Sequence, residues 1–318
     1  MFIAGIDAGA TKTKVVITDS NGHILAKTMG GPGNPTALGW DNALSNIVET
    51  LRNALQQAKL DYVDKIIASV AYTGWGKYRG RYVETFIREK IARQVIVLED
   101  YKASLYTCFP EGEGIIYIMG TGSSCYGYYR GKEALVGGWG HLLGDEGSGY
   151  YVGREGITAA LKYFDGRGEP TLLLRYLREW GKQDSVYEIV SMIYTSNSPK
   201  TLIASFAPYV VKAYNEGDDV AARILRNAVK EALLTIKTCI EKLHYDRREI
   251  GFTGGFYSGA KNILAKLIDS ESEKILGFKI TIKEPIAPIE CALVLHELRK
   301  QNTSFNENEF ISKCKNYT

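Results

Sequence analysis

The stretch Phe2-Ile-Ala-Gly-Ile-Asp-Ala-Gly-Ala-Thr-Lys-Thr-Lys-Val-Val-Ile-Thr-Asp19 joins two apolar segments through a short turn of Gly, Thr and Lys. This pattern predicts a β-hairpin. Glycine lets the main chain approach a ligand closely, and hydroxyl and backbone N–H groups donate to phosphate oxygens. Asp7 ends the first segment, where a carboxylate can hold a hydrated magnesium ion beside phosphates. The hairpin is therefore a candidate phosphate and metal site.

A second stretch repeats the pattern: Ile115-Ile-Tyr-Ile-Met-Gly-Thr-Gly-Ser-Ser-Cys-Tyr-Gly-Tyr-Tyr129. Either turn alone could be only a tight glycine hairpin. Two such turns, one in each half of the chain, favour a nucleotide polyphosphate held between two lobes. Neither turn has the P-loop pattern, and neither reads Gly-x-Gly-x-x-Gly at the start of a helix, which argues against a dinucleotide-binding fold.

The composition restricts the class of protein. The chain has 318 residues, of which 45% are hydrophobic and 24% charged, as expected for a soluble globular protein of about two domains. A net charge of +3 is too small to indicate a nucleic acid or a membrane as partner. The five scattered cysteines and four separate histidines predict reduced thiols, a cytoplasmic location and no structural metal site.

The first hundred residues alternate between strand and helix patterns, which predicts a mixed sheet covered by helices. The second half repeats the hairpin and then becomes loop-rich over Gly137–Gly156 and helical over Pro170–His244. We expect a polar tail at Gln301–Thr318 to fray. The other predicted elements are helices at Trp40–Lys59, Tyr82–Ile91 and Ile289–Arg299, and strands at Lys65–Tyr72, Gln94–Glu99, Glu249–Thr253 and Lys279–Ile282.

Four motifs along the chain resemble those of a known family. They are the opening hairpin, Gly120-Thr-Gly-Ser-Ser124, Gly137-Gly-Trp-Gly-His-Leu-Leu-Gly-Asp-Glu-Gly-Ser-Gly149 and Thr253-Gly-Gly255. In this order they resemble the N-acetylglucosamine kinase-like sugar kinases of the BadF/BadG/BcrA/BcrD ATPase family, within the actin/Hsp70/hexokinase superfamily. The hairpins are moderately specific, and the block from Gly137 to Gly149 is much more so.

The resemblance implies an α/β protein of two ribonuclease-H-like lobes, the actin-like ATPase fold, with a helical insertion in the second lobe. The expected first lobe is 1–112, and the second is 113–285. A closing helix at 286–300 is expected to pack back on the first lobe, followed by the polar tail at 301–318. ATP and Mg²⁺ are the implied cofactors, and a homodimer is the expected assembly.

Asp100 follows the predicted strand Gln94–Glu99, at the strand end where α/β sheets usually present ligand-binding groups. It matches the family's catalytic aspartate, which would accept the proton of the attacking sugar hydroxyl. The alternative is that Asp100 only caps the helix that follows. Glu99 is a weaker candidate because adjacent residues of a strand point in opposite directions.

The remaining site residues are implied by the same resemblance. Asp7 would hold magnesium, through water. The residues expected to contact ATP are Gly9, Thr11, Lys12, Thr13, Gly120, Thr121, Gly122, Ser123, Gly254 and Gly255. Those expected to contact the sugar, together with Asp100, are Asn34, Trp139, Gly140, Asp145 and Glu146. Each also has a structural interpretation: a turn asparagine, a core tryptophan, a solvated acidic turn or a plain strand-to-helix turn.

The predicted function is ATP-dependent phosphorylation of a sugar at its 6-hydroxyl, with N-acetylglucosamine as the leading substrate. A broad-specificity hexokinase or a glucosamine kinase on the same scaffold is one alternative. An ATP-driven activator of a dehydratase or reductase is another. Activators of this kind carry cysteines that ligate a shared iron–sulfur cluster, whereas Cys108 and Cys125 show no convincing ligand arrangement in the sequence.

Overall fold

The computed structural model describes residues 1–9, 11–70, 79–301 and 304–315. The chain forms two compact units, one of residues 1–113 with 284–318 and one of residues 114–283, called here the first and second unit. Within the described ranges, no helix combines the length and apolar character that a bilayer crossing requires.

The first unit is built on a five-stranded mixed sheet. Its elements up to residue 113 are β1 (Phe2–Ala8), β2 (Thr13–Asp19), β3 (Ile24–Gly30), α1 (Pro35–Leu38), α2 (Trp40–Ala58), β4 (Val63–Val70), α3 (Arg79–Arg88), β5 (Ala92–Glu99) and α4 (Asp100–Cys108). The strand order is β3-β2-β1-β4-β5. The first three strands in sequence pair antiparallel, and β1, β4 and β5 pair parallel. The end of the strand predicted at Lys65–Tyr72 lies outside the described residues.

The second unit repeats this sheet and adds a block of helices. Its elements are β6 (Gly114–Met119), β7 (Ser123–Tyr129), β8 (Lys132–Gly137), α5 (Gly149–Phe164), α6 (Leu173–Gly181), α7 (Val186–Tyr194), α8 (Pro199–Ala204), α9 (Ala207–Asn215), α10 (Asp219–Leu243), β9 (Glu249–Thr253), α11 (Gly255–Leu276) and β10 (Thr281–Lys283). The order β10-β9-β6-β7-β8 has the same parallel and antiparallel pairings as the first sheet. The α/β architecture of two ribonuclease-H-like sheets is confirmed.

The chain ends within the first unit, in α12 (Ile289–Lys300) and α13 (Glu307–Lys315). Alternate residues of β1 face opposite sides of the sheet. Ala4, Ile6 and Ala8 pack in a core with residues of α2 and α3, whereas Ile3 packs with residues of α12. The α12 backbone approaches β1 so closely that a Cβ atom on Gly5 would lie 2.0 Å from the Glu290 carbonyl oxygen. Asp7 therefore lies on the α12 side of the sheet.

Three local expectations were wrong. The loop expected over Gly137–Gly156 is shorter, because α5 begins at Gly149. Ser148 caps this helix, and its Oγ accepts the Tyr151 N–H at 3.1 Å. The tail does not fray over 304–315, because α13 buries Phe310 and Cys314. The thiols are not all reduced, because Cys291 and Cys314 form a disulfide between α12 and α13.

Candidate active site

The turn between β1 and β2 is closed by main-chain hydrogen bonds. The Gly9 N–H donates to the Lys12 carbonyl at 3.0 Å, and the Gly33 N–H donates to the Gly9 carbonyl at 3.0 Å. The second bond brings the segment that carries Asn34 against the turn. Thr11 and Lys12 are exposed at the turn. Their hydroxyl and ammonium groups are therefore accessible to a ligand.

Thr13 has a different environment. Its side chain is fully buried, and its hydroxyl has no hydrogen-bond partner among the described residues. The hydroxyl is so close to Gly33 that a Cβ atom on that glycine would lie 2.9 Å from it. Of the three residues predicted to contact phosphate in this turn, Thr13 thus has the least accessible side chain.

Asp7 lies among charged and polar neighbours at the end of β1. In the strand register it is opposite Lys14 of β2 and beside Ser69 of β4. Burial raises the pKa of Asp7 from 3.8 to about 6, although the Lys14 charge and the Ser69 hydroxyl lower it. The nearby charge of Asp100 also raises this pKa. Because burial disfavours the ionised form, a nearby cation would stabilise the Asp7 carboxylate.

Asp100 is the first residue of α4, immediately after β5. Its Oδ1 accepts the N–H of Tyr101 at 2.8 Å, while Glu99 occupies the cap position. The side chain remains exposed. Although the residue is exposed, the surrounding protein removes part of the hydration of its carboxylate and raises the pKa of Asp100, with the Tyr101 hydrogen bond acting in the opposite direction. A raised pKa makes a carboxylate a stronger proton acceptor.

Sequence reasoning missed two residues near Asp7. Ser69 is completely buried in the apolar second half of β4, and Glu290 is completely buried in the first turn of α12. A serine within Ile66–Val70 and a glutamate within the apolar stretch Ile289–Leu295 were visible signals. Their proximity to Asp7 depends on strand register and on the return of α12 to the first unit, which the sequence does not display.

The turn between β6 and β7 is tied to the start of α5. The Gly149 N–H donates to the Gly120 carbonyl at 2.8 Å, and the Tyr150 N–H donates to the Thr121 carbonyl at 3.1 Å. Thr121 is exposed at the turn. Ser123 is buried, and its Oγ donates to the Glu146 carbonyl at 2.6 Å. The predicted phosphate donors of this turn are thus divided between an exposed threonine and a serine used internally.

Asp145 is a buried acid beneath this turn. Its Oδ1 accepts the Ser123 N–H at 3.2 Å, and its Oδ2 lies 2.8 Å from the Lys200 ammonium nitrogen. A Cβ atom on Gly122 would lie 2.8 Å from Oδ1. The φ of Asp145 is 61°, a left-handed backbone conformation that aspartate tolerates better than most residues. The solvated-turn interpretation is therefore wrong for Asp145.

The other residues predicted to contact sugar are more accessible. Glu146 is exposed, and its carbonyl accepts the Tyr117 hydroxyl at 2.8 Å. Trp139 is 67% exposed, so it is not a core tryptophan. Gly140 has a φ of 82°, which favours glycine at this point of the loop. The loop thus presents an aromatic ring and a carboxylate to solvent above the buried Asp145.

Gly254 lies directly against the turn after β6. Its φ is 108°, and a Cβ atom would lie 2.5 Å from the Met119 carbonyl oxygen and 2.7 Å from the Gly120 nitrogen. A Cβ atom on Gly255 would meet nothing within 4 Å. The structure thus brings together two groups predicted to contact ATP, the turn around Gly120 and the Gly254-Gly255 pair.

We expect Gly254→Ala to lower the stability of the second unit, because backbone conformations of this kind cost about 1–3 kcal/mol for other residues, and the clash with Met119 adds to this cost. Gly255→Ala is the matched control and should leave the melting temperature unchanged. Thermal unfolding and calorimetric ADP binding check both variants. Equal melting temperatures for the two variants would contradict the expectation.

The residues around Asp7 fit a hydrated magnesium ion better than a fully ligated one. Across the described ranges, no group of three or more His, Cys, Asp or Glu side chains is placed to hold a metal ion. Magnesium commonly retains several waters and binds through one or two carboxylates and the substrate phosphates. Asp7 is the carboxylate at this place that would hold a water of such an ion, and a cation beside it would offset the cost of its burial.

The sequence profile of one family matches residues 4–295, nearly the whole chain, and it describes the BadF/BadG/BcrA/BcrD ATPase family. The chain belongs to this family. A relative from Clostridium acetobutylicum, named N-acetylmuramic acid/N-acetylglucosamine kinase, is 34% identical over 79% of this chain and 83% of its own length. An N-acetyl-D-glucosamine kinase from Dictyostelium discoideum is 30% identical over 86% of this chain and 89% of its own.

Solved structures share the fold of this BadF/BadG/BcrA/BcrD family member. A protein assigned as an N-acetylglucosamine kinase from Chromobacterium violaceum matches with a TM-score of 0.74 and 21% identity, over 93% of this chain and 98% of its own. A ROK family glucokinase from Streptomyces griseus, in complex with glucose and AMPPNP, matches with a TM-score of 0.58 and 15% identity, over 94% of this chain and 99% of its own. At these identities the likeness concerns the fold alone.

Proposed function

We propose that the protein is an ATP-dependent sugar kinase that phosphorylates the 6-hydroxyl of an amino sugar or hexose, with N-acetylglucosamine as the leading substrate. The names of the curated relatives support this substrate class. The structural observation that carries the proposal is the placement of Asp7 and Asp100 at the same end of the first sheet, because Asp7 lies near the end of β1, Asp100 directly follows β5, and both strands run parallel to β4 between them.

Phosphoryl transfer depends mainly on positioning and on stabilisation of charge. In the proposed reaction the sugar oxygen attacks the γ-phosphorus of ATP, its proton passes to Asp100, and ADP leaves. Asp7 would hold a water of the metal ion. Magnesium, when bound, would neutralise charge on the β- and γ-phosphates. Thr11 and Lys12 are the proposed phosphate contacts of the first unit, and the turn at Gly120–Gly122 is the proposed phosphate contact of the second.

Asp145 and Glu146 would accept hydrogen bonds from sugar hydroxyls, with Asn34, Trp139 and Gly140 as further contacts. A carboxylate offers about four acceptor positions, and the Ser123 N–H and Lys200 occupy only part of that capacity at Asp145. The acid thus both supports the turn and retains capacity for a hydroxyl.

We also expect a cytoplasmic homodimer.

Asp145 and Lys200 are expected to have different roles, the first in sugar binding and the second in stability. Asp145→Asn should retain the Ser123 contact but lose charge, and it should weaken sugar binding by about 1.5–3 kcal/mol, the usual value for a hydrogen bond to a charged group. Lys200→Met leaves the buried carboxylate without its cation and should lower stability while retaining sugar affinity. Calorimetry with N-acetylglucosamine measures both variants. Equal losses of affinity would show that Asp145 acts only through the loop.

The cysteines favour a kinase over an ATP-driven activator. An activator that shares a cluster between subunits needs accessible thiolates. Cys108, Cys125 and Cys239 are buried, and Cys291 is bonded to Cys314. Iron and sulfide in anaerobically purified protein would reverse this preference.

A coupled ADP-release assay tests the function directly. We expect turnover with N-acetylglucosamine to exceed turnover with glucose, mannose, glucosamine and N-acetylmannosamine. Comparable rates with glucose would indicate the broad hexokinase, and a preference for glucosamine the glucosamine kinase. ATP hydrolysis that no sugar stimulates would contradict a kinase function.

A further inference from the structure

Glu290 is a buried acid without an evident structural purpose. It lies in the first turn of α12 with no exposed side-chain surface, and among the described residues neither carboxylate oxygen has a hydrogen-bond partner. The Lys14 ammonium nitrogen lies 3.9 Å from Oε1. Burial of a carboxylate is costly unless it is paired and hydrogen-bonded, and an apolar residue of similar size often serves stability equally well.

Glu290 is placed where it can influence Asp7. The close approach of the Glu290 carbonyl to Gly5 sets the start of α12 against the face of β1 that also carries Asp7. Lys14 is the cross-strand partner of Asp7, and such partners have neighbouring side chains on one face. Lys14 is therefore shared by two carboxylates, Asp7 from its own sheet and Glu290 from the helix that covers it.

The electrostatics agree with this placement. Burial raises the pKa of Glu290, and the Asp7 charge raises it further, whereas the charges of Lys14 and Lys27 lower it. Lys14 likewise lowers the pKa of Asp7, with a smaller contribution from Lys12. Lys14 thus lies near two carboxylates that also repel each other.

We propose that Glu290 is a positioning residue, which pairs with Lys14 and gives the group of Asp7, Lys14 and Glu290 an excess of negative charge that hydrated magnesium at Asp7 would compensate. Asp7 and Lys14 alone would be a neutral pair with little attraction for a cation, whereas Glu290 adds the negative charge that the ion compensates. This inference rests on the proposed function, because it assumes that a magnesium nucleotide binds at Asp7.

Glu290→Gln tests the inference, and Glu297→Gln is the matched control. Both acids lie on α12, but Glu297 is paired with Lys65 at 2.7 Å, away from Asp7 in the register. We expect Glu290→Gln to weaken calorimetric ADP binding in magnesium by about tenfold, or 1.4 kcal/mol, and to leave ADP binding in EDTA unchanged. Glu297→Gln should alter neither affinity.

Unfolding without ligand distinguishes positioning from simple stabilisation. Glu290→Gln should melt at or above the wild-type temperature, because Lys14 still faces Asp7 after the buried charge is removed. Glu297→Gln should melt lower, because Lys65 loses its partner. The double variant Lys14→Met/Glu290→Gln should recover magnesium-dependent ADP affinity, because Asp7 then keeps its full charge.

The outcomes separate the inference from the proposed function. Only the role of Glu290 would be overturned if ADP affinity in Glu290→Gln depended on magnesium as in the wild type. The same would follow if the dependence weakened and the double variant did not restore it. A wild-type protein whose ADP affinity is the same in magnesium and in EDTA would overturn the inference together with the proposed metal site. Turnover in the coupled assay tests the kinase function independently.

Discussion

Asp100→Asn is expected to lower phosphoryl transfer by about 10²–10⁴-fold, the usual cost of losing a general base. The amide retains the shape of the side chain and an oxygen for the Tyr101 N–H, so folding and ATP affinity should change little. Steady-state rates at saturating sugar and MgATP, with calorimetric ATP binding, give the measurement. Near-normal turnover would exclude Asp100 as the base.

The pH dependence adds a second readout to this variant. Asp100 must be ionised to accept a proton, and its pKa is raised, so the wild-type rate should fall on the acid side at a higher pH than for an ordinary aspartate. Glu99→Gln is the control, since Glu99 is adjacent in sequence. It should keep both the rate and the acid limb. A large loss of rate in Glu99→Gln would transfer the base role to that residue.

The local elements of this chain were largely predictable from sequence, because strand alternation and turn residues are short-range signals. The strand Glu249–Thr253 and the helix that begins at Trp40 are examples. The helix after Gln301 was obscured by its polar composition, because only a few apolar residues, including Phe310, attach it to the core.

The candidate site was predictable only where a motif marked it. Asp7 ends one predicted strand and Asp100 directly follows another, so their positions followed from local pattern. Lys200 lies 55 positions after Asp145 in the chain, within the helical block of the second unit, and no local signal connects it with the loop. Ser69 reaches Asp7 only through parallel strand register. Long-range pairing is the information that a single sequence lacks.

Asp7→Asn is expected to abolish magnesium-dependent ADP binding and most phosphoryl transfer, yet to stabilise the ligand-free protein at pH 8. The pKa of Asp7 is about 6 in the folded protein against 3.8 for an ordinary aspartate. One pKa unit corresponds to about 1.4 kcal/mol, so ionised Asp7 costs on the order of 2–3 kcal/mol of unfolding free energy. Asparagine avoids this cost because it carries no charge to desolvate.

The sign of the pH dependence makes this expectation specific. A raised pKa contributes stability below the unfolded value of 3.8, and that contribution is lost as the pH rises through about 6. The gain in unfolding free energy of Asp7→Asn should therefore be full at pH 8 and vanish near pH 4, as measured by urea unfolding at several pH values.

Asp19 is the control on the same hairpin: burial raises its pKa, but hydrogen bonds from His23 outweigh this and lower it. Asp19→Asn should accordingly lose stability at pH 8. An Asp7→Asn protein less stable than wild type at pH 8 would show that the acid serves the fold, whereas the expected gain would show that stability is given up at this position to keep a charge for a cation.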